Sequence, residues 1–159
     1  MKSQKTLMSS DRMDWGTPQA LFDFLDAIFN FDLDVCATWK NTMVKGSYYS
    51  IEDDALQMEW KGKMAWMNPP YGREIMDWIA HAHDQSESVP VAVLVPSRTD
   101  TKWFQYMWHA DALLFVKGRL KFRGAKSSAP FPSVIAIFGR GLSRKEIDKL
   151  ETIGKVVIP

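Results

Sequence analysis

Strands alternating with helices along most of the chain predict a three-layer α/β/α sheet. Three observations carry that expectation. Pro90 to Val95 is an unbroken apolar run, as in a strand covered on both faces. Leu21, Phe22, Leu25, Ile28 and Phe29 recur at helical spacing behind Thr17-Pro18. The 159 residues suit one domain with one core.

Taken in order, Met1 to Asp14 is polar and reads as a flexible arm, with a single domain over 15–159. Thr17 is placed to cap a helix over 18–29, and Pro18 suits its first position. Phe31 to Cys36 alternates apolar and polar residues as a short strand. Residues 37–62 have weak periodicity and are left mostly irregular. Lys63 to Met67 reads as a strand entering the turn Asn68-Pro69-Pro70-Tyr71-Gly72. Glu74 to His83 is a helix with Ile75, Trp78, Ile79 and Ala82 on one face. Asp100 to Trp108 is a further helix, Ala112 to Val116 a strand and Gly118 to Gly124 a basic loop. Ser133 to Phe138 is a strand, Ser143 to Thr152 a helix and Val156 to Ile158 a last strand. Ligands in such sheets sit at the carboxyl ends of the strands. Asn68 and Ser97 each follow a strand and so can share one crevice.

Composition narrows the function classes. Hydrophobic residues make up 46% and charged residues 25%, as in ordinary globular domains. No apolar run approaches the roughly 20 residues that span a bilayer, so no membrane partner is expected. The first 14 residues lack the apolar core of a signal peptide. Cys36 is the only cysteine, which removes internal disulfides and cysteine-based zinc sites. His81 and His83 are two apart on a helix and do not share a face, so no metal is expected. A reducing cytoplasm is the expected setting. The net charge of +1 is unevenly spread. Residues 1–97 carry 8 basic and 14 acidic side chains, whereas 98–126 carry 7 and 2. That basic block is either a solvated loop or a phosphate-binding face.

Asn68-Pro69-Pro70-Tyr71 carries the chemistry. An exocyclic amino nitrogen on a purine is a poor nucleophile, because its lone pair is delocalised into the ring. It needs acceptors for its two hydrogens more than it needs a base. The Asn68 side-chain oxygen and the Pro69 carbonyl can supply both. They would also stabilise the positive charge that develops on nitrogen in the transition state. Pro69 and Pro70 stiffen the backbone that holds these acceptors. Tyr71 can stack on a base that has been flipped out of a duplex. The plain structural reading is a rigid proline turn with Tyr71 packed beneath it.

The chain resembles the phage-type DNA N-6-adenine-methyltransferases, the phage Dam family, from Trp15 to about Phe138. The matching segments are Trp15-Gly16-Thr17-Pro18, Phe31 to Ala37, Asp54-Ala55-Leu56, Trp66 to Gly72, Leu94 to Thr101 with Trp103-Phe104, Gly118 to Phe122, and Ala129 to Ser133. The resemblance implies a reduced Rossmann-like fold that uses S-adenosylmethionine to methylate adenine in double-stranded DNA. It implies cofactor contacts at Thr17, Pro18, Asp34, Ala37, Asp54 and Leu56. It makes Asn68, Pro69, Pro70 and Tyr71 the catalytic turn. Phe122 takes the face of the flipped base opposite Tyr71, and Ser97, Arg98, Arg119, Lys121 and Arg123 lie on the DNA side. The glycine-rich turn usual after the family's first strand is missing; here it reads Asp34-Val35-Cys36-Ala37-Thr38-Trp39. Glu52 and Asp53 are weak candidates for the acid that binds the cofactor ribose. The same tetrapeptide also occurs in enzymes acting on protein glutamine and on RNA adenine. A nucleic-acid-binding protein with a decayed cofactor site is the reading from another class.

Overall fold

The computed structural model describes residues 15–38, 40–50 and 53–159. The expected N-terminal arm, Trp39 and the ribose candidate Glu52 lie outside these residues. In chain order the elements are α1 (Gln19–Phe29), β1 (Leu33–Asp34), β2 (Ala65–Met67), α2 (Ile75–Gln85) and β3 (Val91–Pro96). There follow α3 (Phe104–Met107), β4 (Ala112–Val116), β5 (Ser133–Phe138), α4 (Arg144–Leu150) and β6 (Gly154–Val157). The strands form one mixed six-stranded sheet in the order β1-β2-β3-β5-β4-β6. β1, β2 and β3 run parallel. β5 is antiparallel to both β3 and β4, and β6 is antiparallel to β4.

Register assigns each side chain to a face, because laterally paired residues point the same way. Trp66 pairs with Ala92, and Ala92 with Ile137, so these share one face. Phe22 of α1 meets Trp66 edge-on at 5.7 Å. Leu25 and Phe29 of α1 and Leu150 of α4 close over Leu114, Ile135 and Ile137 in one apolar seam. Val91 pairs with Phe138 on the opposite face, where His83 of α2 lies 5.9 Å from the Phe138 ring. Helices therefore cover both faces. β3 and β5 are buried at every position, which accounts for their unbroken apolar runs.

Helix ends show where local signals were outbid by tertiary contacts. α4 starts with a capping box: the Ser143 side chain accepts from the Glu146 backbone, and Glu146 reaches back to the Ser143 N–H. α1 starts at Gln19 behind Pro18, with no side-chain cap. Thr17 is thus one residue too early to cap it, and its hydroxyl is used elsewhere. The helix expected over Asp100 to Trp108 contracts to Phe104–Met107, its first residues being taken up by turns such as Thr101 N–H to the Arg98 carbonyl at 3.2 Å. The strand expected over Phe31 to Cys36 shortens to Leu33–Asp34.

Beyond β1 the irregular stretch returns to the sheet. Asp34 bridges to Tyr48 in parallel sense, the Tyr49 N–H donates to the Asp34 carbonyl at 2.8 Å and the Ala37 N–H to the Tyr49 carbonyl at 3.0 Å. This lap of chain flanks the carboxyl end of β1 where no further strand is present among the described residues.

Leu25 is fully buried in the seam under α1. Leu25→Ala should destabilise the fold by about 2–5 kcal/mol, measured by denaturant unfolding; a loss near zero would mean that α1 does not seal the sheet.

Candidate active site

The carboxyl ends of β1, β2 and β3 lie along one edge of the sheet, because the three strands are parallel. Asp34, Asn68 and Ser97 emerge there. The 117–132 loop leaves β4 at the same edge and returns into β5 through Ser133, which pairs with Pro96. Gly16 bridges to Arg123 in this loop, so the segment before α1 is drawn into the same place.

Asn68 is held at both ends of its amide. Its Nδ2 donates to the Trp15 carbonyl and to Thr17 Oγ1 at 3.0 Å. Its Oδ1 accepts from the Tyr71 hydroxyl at 2.8 Å. That hydroxyl also lies 3.1 Å from the Leu94 carbonyl of β3, so one proton faces two acceptors. Burial pushes the Tyr71 phenol well above its ordinary range and keeps it protonated as a donor. Pro69 is buried and Pro70 half-buried in the turn between.

Four aromatic rings pack beside this turn. Trp15 lies 5.3 Å from Phe122 and 5.4 Å from Phe131. Tyr71 meets Phe131 at 5.8 Å and Phe122 at 6.2 Å, both edge-on. Phe122 and Phe131 are 5.9 Å apart, and the Arg98 guanidinium sits 5.6 Å from the Phe131 ring centre. Tyr71 and Phe122 therefore touch edge to face in this structure; they do not stand as two parallel walls.

Asp34 lies in the glycine-poor turn and organises it. Its two carboxylate oxygens accept from the Cys36 N–H at 3.3 Å and the Met43 N–H at 2.9 Å. The side chain ties the end of β1 to the loop that follows it. Burial pushes Asp34 up to about 6, against the opposing pull of the Met43 and Cys36 hydrogen bonds and of the Arg123 charge. A carboxylate raised in the fold contributes stability below its unfolded value of 3.8 and loses it as pH rises through about 6.

The remaining residues fall into two groups. Thr17 is 3% exposed and bonded to Asn68, Pro18 is half-buried beside it, and Ala37 is buried against the returning Tyr49 segment. Ser97 N–H donates to the Pro132 carbonyl at 2.8 Å. Arg119 and Lys121 are exposed on the loop. Arg123 ties three segments: its backbone N–H donates to the Gly16 carbonyl at 2.9 Å, its Nη2 to the Asn41 carbonyl at 3.1 Å, and its charge is felt at Asp34. Asp54 and Leu56 belong to a separate turn. Asp54 is exposed with φ 50°, and the turn docks through Met58 on His81 of α2. Asp53, the other ribose candidate, accepts from the Ser50 N–H and hydroxyl. Among the described residues no group of three or more His, Cys, Asp or Glu side chains could hold a metal ion, and no helix is long and apolar enough to cross a membrane.

Phe131 and the Leu94 carbonyl had no role assigned from sequence. Phe131 sits in the Ala129-Pro130-Phe131-Pro132 segment, whose flanking prolines signal a fixed ring. A backbone carbonyl leaves no signal at all.

The chain belongs to the DNA N-6-adenine-methyltransferase (Dam) family, whose model matches residues 4–146. It is 35% identical over 108 residues to the DNA N-6-adenine-methyltransferase of Haemophilus phage HP1 (strain HP1c1), covering 65% of this chain and 61% of that one. It is 32% identical over 93 residues to the DNA N-6-adenine-methyltransferase of Escherichia phage T1, covering 57% of this chain and 38% of that one. The matched stretch is less than two thirds of the length of either relative.

Carbon-detected titration of the Asp34 carboxyl should give a midpoint near 6. Arg123→Ala should move it further up, because a neighbouring positive charge is lost; an unchanged or lower midpoint would remove Arg123 from the Asp34 environment.

Proposed function

We propose that the chain methylates the exocyclic amino group of adenine in double-stranded DNA, using S-adenosylmethionine, on a base flipped into the Asn68–Tyr71 turn. On this reading the sheet is a reduced form of the Rossmann-like methyltransferase fold, and the chain works in the cytoplasm of a bacterial host. The observation that carries it is the orientation of the Asn68 amide. With Nδ2 committed to Trp15 and Thr17, the oxygen is the end left for an incoming N–H. A carbonyl oxygen has two lone pairs, so Oδ1 can accept from a purine amino group while Tyr71 remains near. The Pro69 carbonyl accepts the second hydrogen. Together they turn the nitrogen out of conjugation and favour the charge that develops on it.

The residues around Asp34 fit the methyl donor by charge. S-Adenosylmethionine, when bound, supplies an electrophilic methyl carbon on a sulfonium, and it also carries an ammonium. Asp34 is a buried carboxyl raised to about 6 by desolvation, and a cation beside it would return it to the ionised form. On this reading Thr17, Pro18 and Ala37 contact the cofactor along the strands' carboxyl edge, and Asp54 and Leu56 would close on its adenine.

Nucleic acid is favoured as substrate by the basic 98–126 block. Arg119 and Lys121 are exposed there, and Arg98 stands against the aromatic group. Opening that group around a base would replace ring–ring contacts by base stacking on Tyr71 and Phe122, which offsets part of the unstacking cost.

The test is transfer of labelled methyl groups to DNA, followed by digestion. Label should appear as 6-methyladenine, and Asn68→Ala should lower the rate at least about a hundredfold with DNA binding retained. Label in RNA or protein alone, or an active Asn68→Ala, would contradict the assignment. Cofactor affinity should fall about tenfold per pH unit below 6, as protonation of Asp34 removes the charge a cation needs; calorimetry across pH 5–8 with a flat response would exclude Asp34 from the cofactor site.

A further inference from the structure

The two ends of an asparagine amide differ in charge but scarcely in shape, so hydrogen bonds alone decide which end faces a site. At Asn68 the partners are not symmetric. The Trp15 carbonyl can only accept and therefore demands the NH2 end. Thr17 Oγ1 lies 3.0 Å from the same nitrogen. Thr17 is 3% exposed and does not cap α1, so its hydroxyl is not spent on the helix beside it. The segment is itself pinned from outside, by the Gly16–Arg123 bridge and by the Trp15 ring against Phe122 and Phe131.

We propose that Thr17 is a positioning residue for methyl transfer: its hydroxyl, with the Trp15 main-chain carbonyl, locks the Asn68 amide so that Oδ1 is presented to the reacting amino group. This rests on the role of Asn68 given above. Thr17 acts through Asn68 and does not touch the transferred group. Loss of its hydroxyl leaves the amide nitrogen one anchor in place of two; Trp15 and Tyr71 keep the same end outward, but the amide swings about its torsions and Oδ1 is no longer held on the reacting amino group.

Thr17→Val keeps the shape of the buried side chain and removes the hydroxyl; Thr17→Ser keeps the hydroxyl. Both are compared with wild type by thermal melting, by steady-state methylation of DNA, and by the 15N-resolved side-chain NH2 signal of Asn68. With melting unchanged, Thr17→Val should lower kcat by about ten- to a hundredfold with KM for DNA little altered, and Thr17→Ser should restore most of it. The Asn68 NH2 protons should exchange slowly in wild type and Thr17→Ser and faster in Thr17→Val, where the bond to Trp15 alone remains. Wild-type kcat in Thr17→Val, a defect confined to KM, or equal protection in all three proteins would overturn the proposal. The exchange arm needs no turnover. A wild type that makes no 6-methyladenine therefore sinks the functional reading, while the protection pattern still judges the clamp.

Discussion

A hydrogen-bond acceptor aimed at a weak nucleophile must be held by something stiffer than its own torsions, and in the proposed reaction that burden falls on the Asn68 amide. Two prolines fix the main chain that follows it. A carbonyl and a hydroxyl hold its nitrogen, and a buried phenol holds its oxygen. The residues that do this come from the segment before α1 and from the turn itself, with Leu94 of β3 as the phenol's other partner. The rest of the fold can be understood as the means of bringing those pieces together.

The parallel run of β1, β2 and β3 puts three strand ends on one edge; the crossover helix α2 covers one face, and α1 and α4, which are not crossovers between parallel strands, cover the other. The buried seam under α1 fixes where that helix begins, and so where Thr17 sits. The 117–132 loop then crosses the edge and clasps the N-terminal segment through Gly16 and Arg123. The same arginine reaches the Asn41 carbonyl and lowers the charge penalty at Asp34. A loop rich in positive charge is in this way joined to the segment that holds the Asn68–Tyr71 turn and to the strand end that carries the buried carboxyl.

Much of the architecture was legible because it is encoded locally. Ala112–Val116 and Ser133–Phe138 emerge with the bounds their apolar runs suggest, and the amphipathic spacing of Leu21, Leu25 and Phe29 marks α1 within a residue. Elements failed where tertiary demand overrode local preference. Thr17 looked like a cap by its place before a proline, yet its hydroxyl serves Asn68, 51 positions away. The first half of the Asp100–Trp108 helix was surrendered to turns. The site divides the same way: Asn68 to Tyr71 is a contiguous word in the chain, whereas the clamp joins Trp15, Thr17, Asn68 and Leu94, and Leu94 contributes only a carbonyl that any residue would carry. The missing glycines after β1 pointed to a damaged cofactor turn. In the fold the Asp34 carboxylate accepts from two backbone N–H groups of that turn, contacts that composition alone does not reveal.

The most direct test of the account is a structure of the chain with duplex DNA and a non-reactive analogue of the methyl donor. The account predicts an adenine turned out of the helix, with Asn68 Oδ1 and the Pro69 carbonyl both within hydrogen-bond reach of N6, while Nδ2 keeps its contacts to Trp15 and Thr17. A base that stays stacked in the duplex, or that enters the site with its amino group away from Asn68, would contradict it.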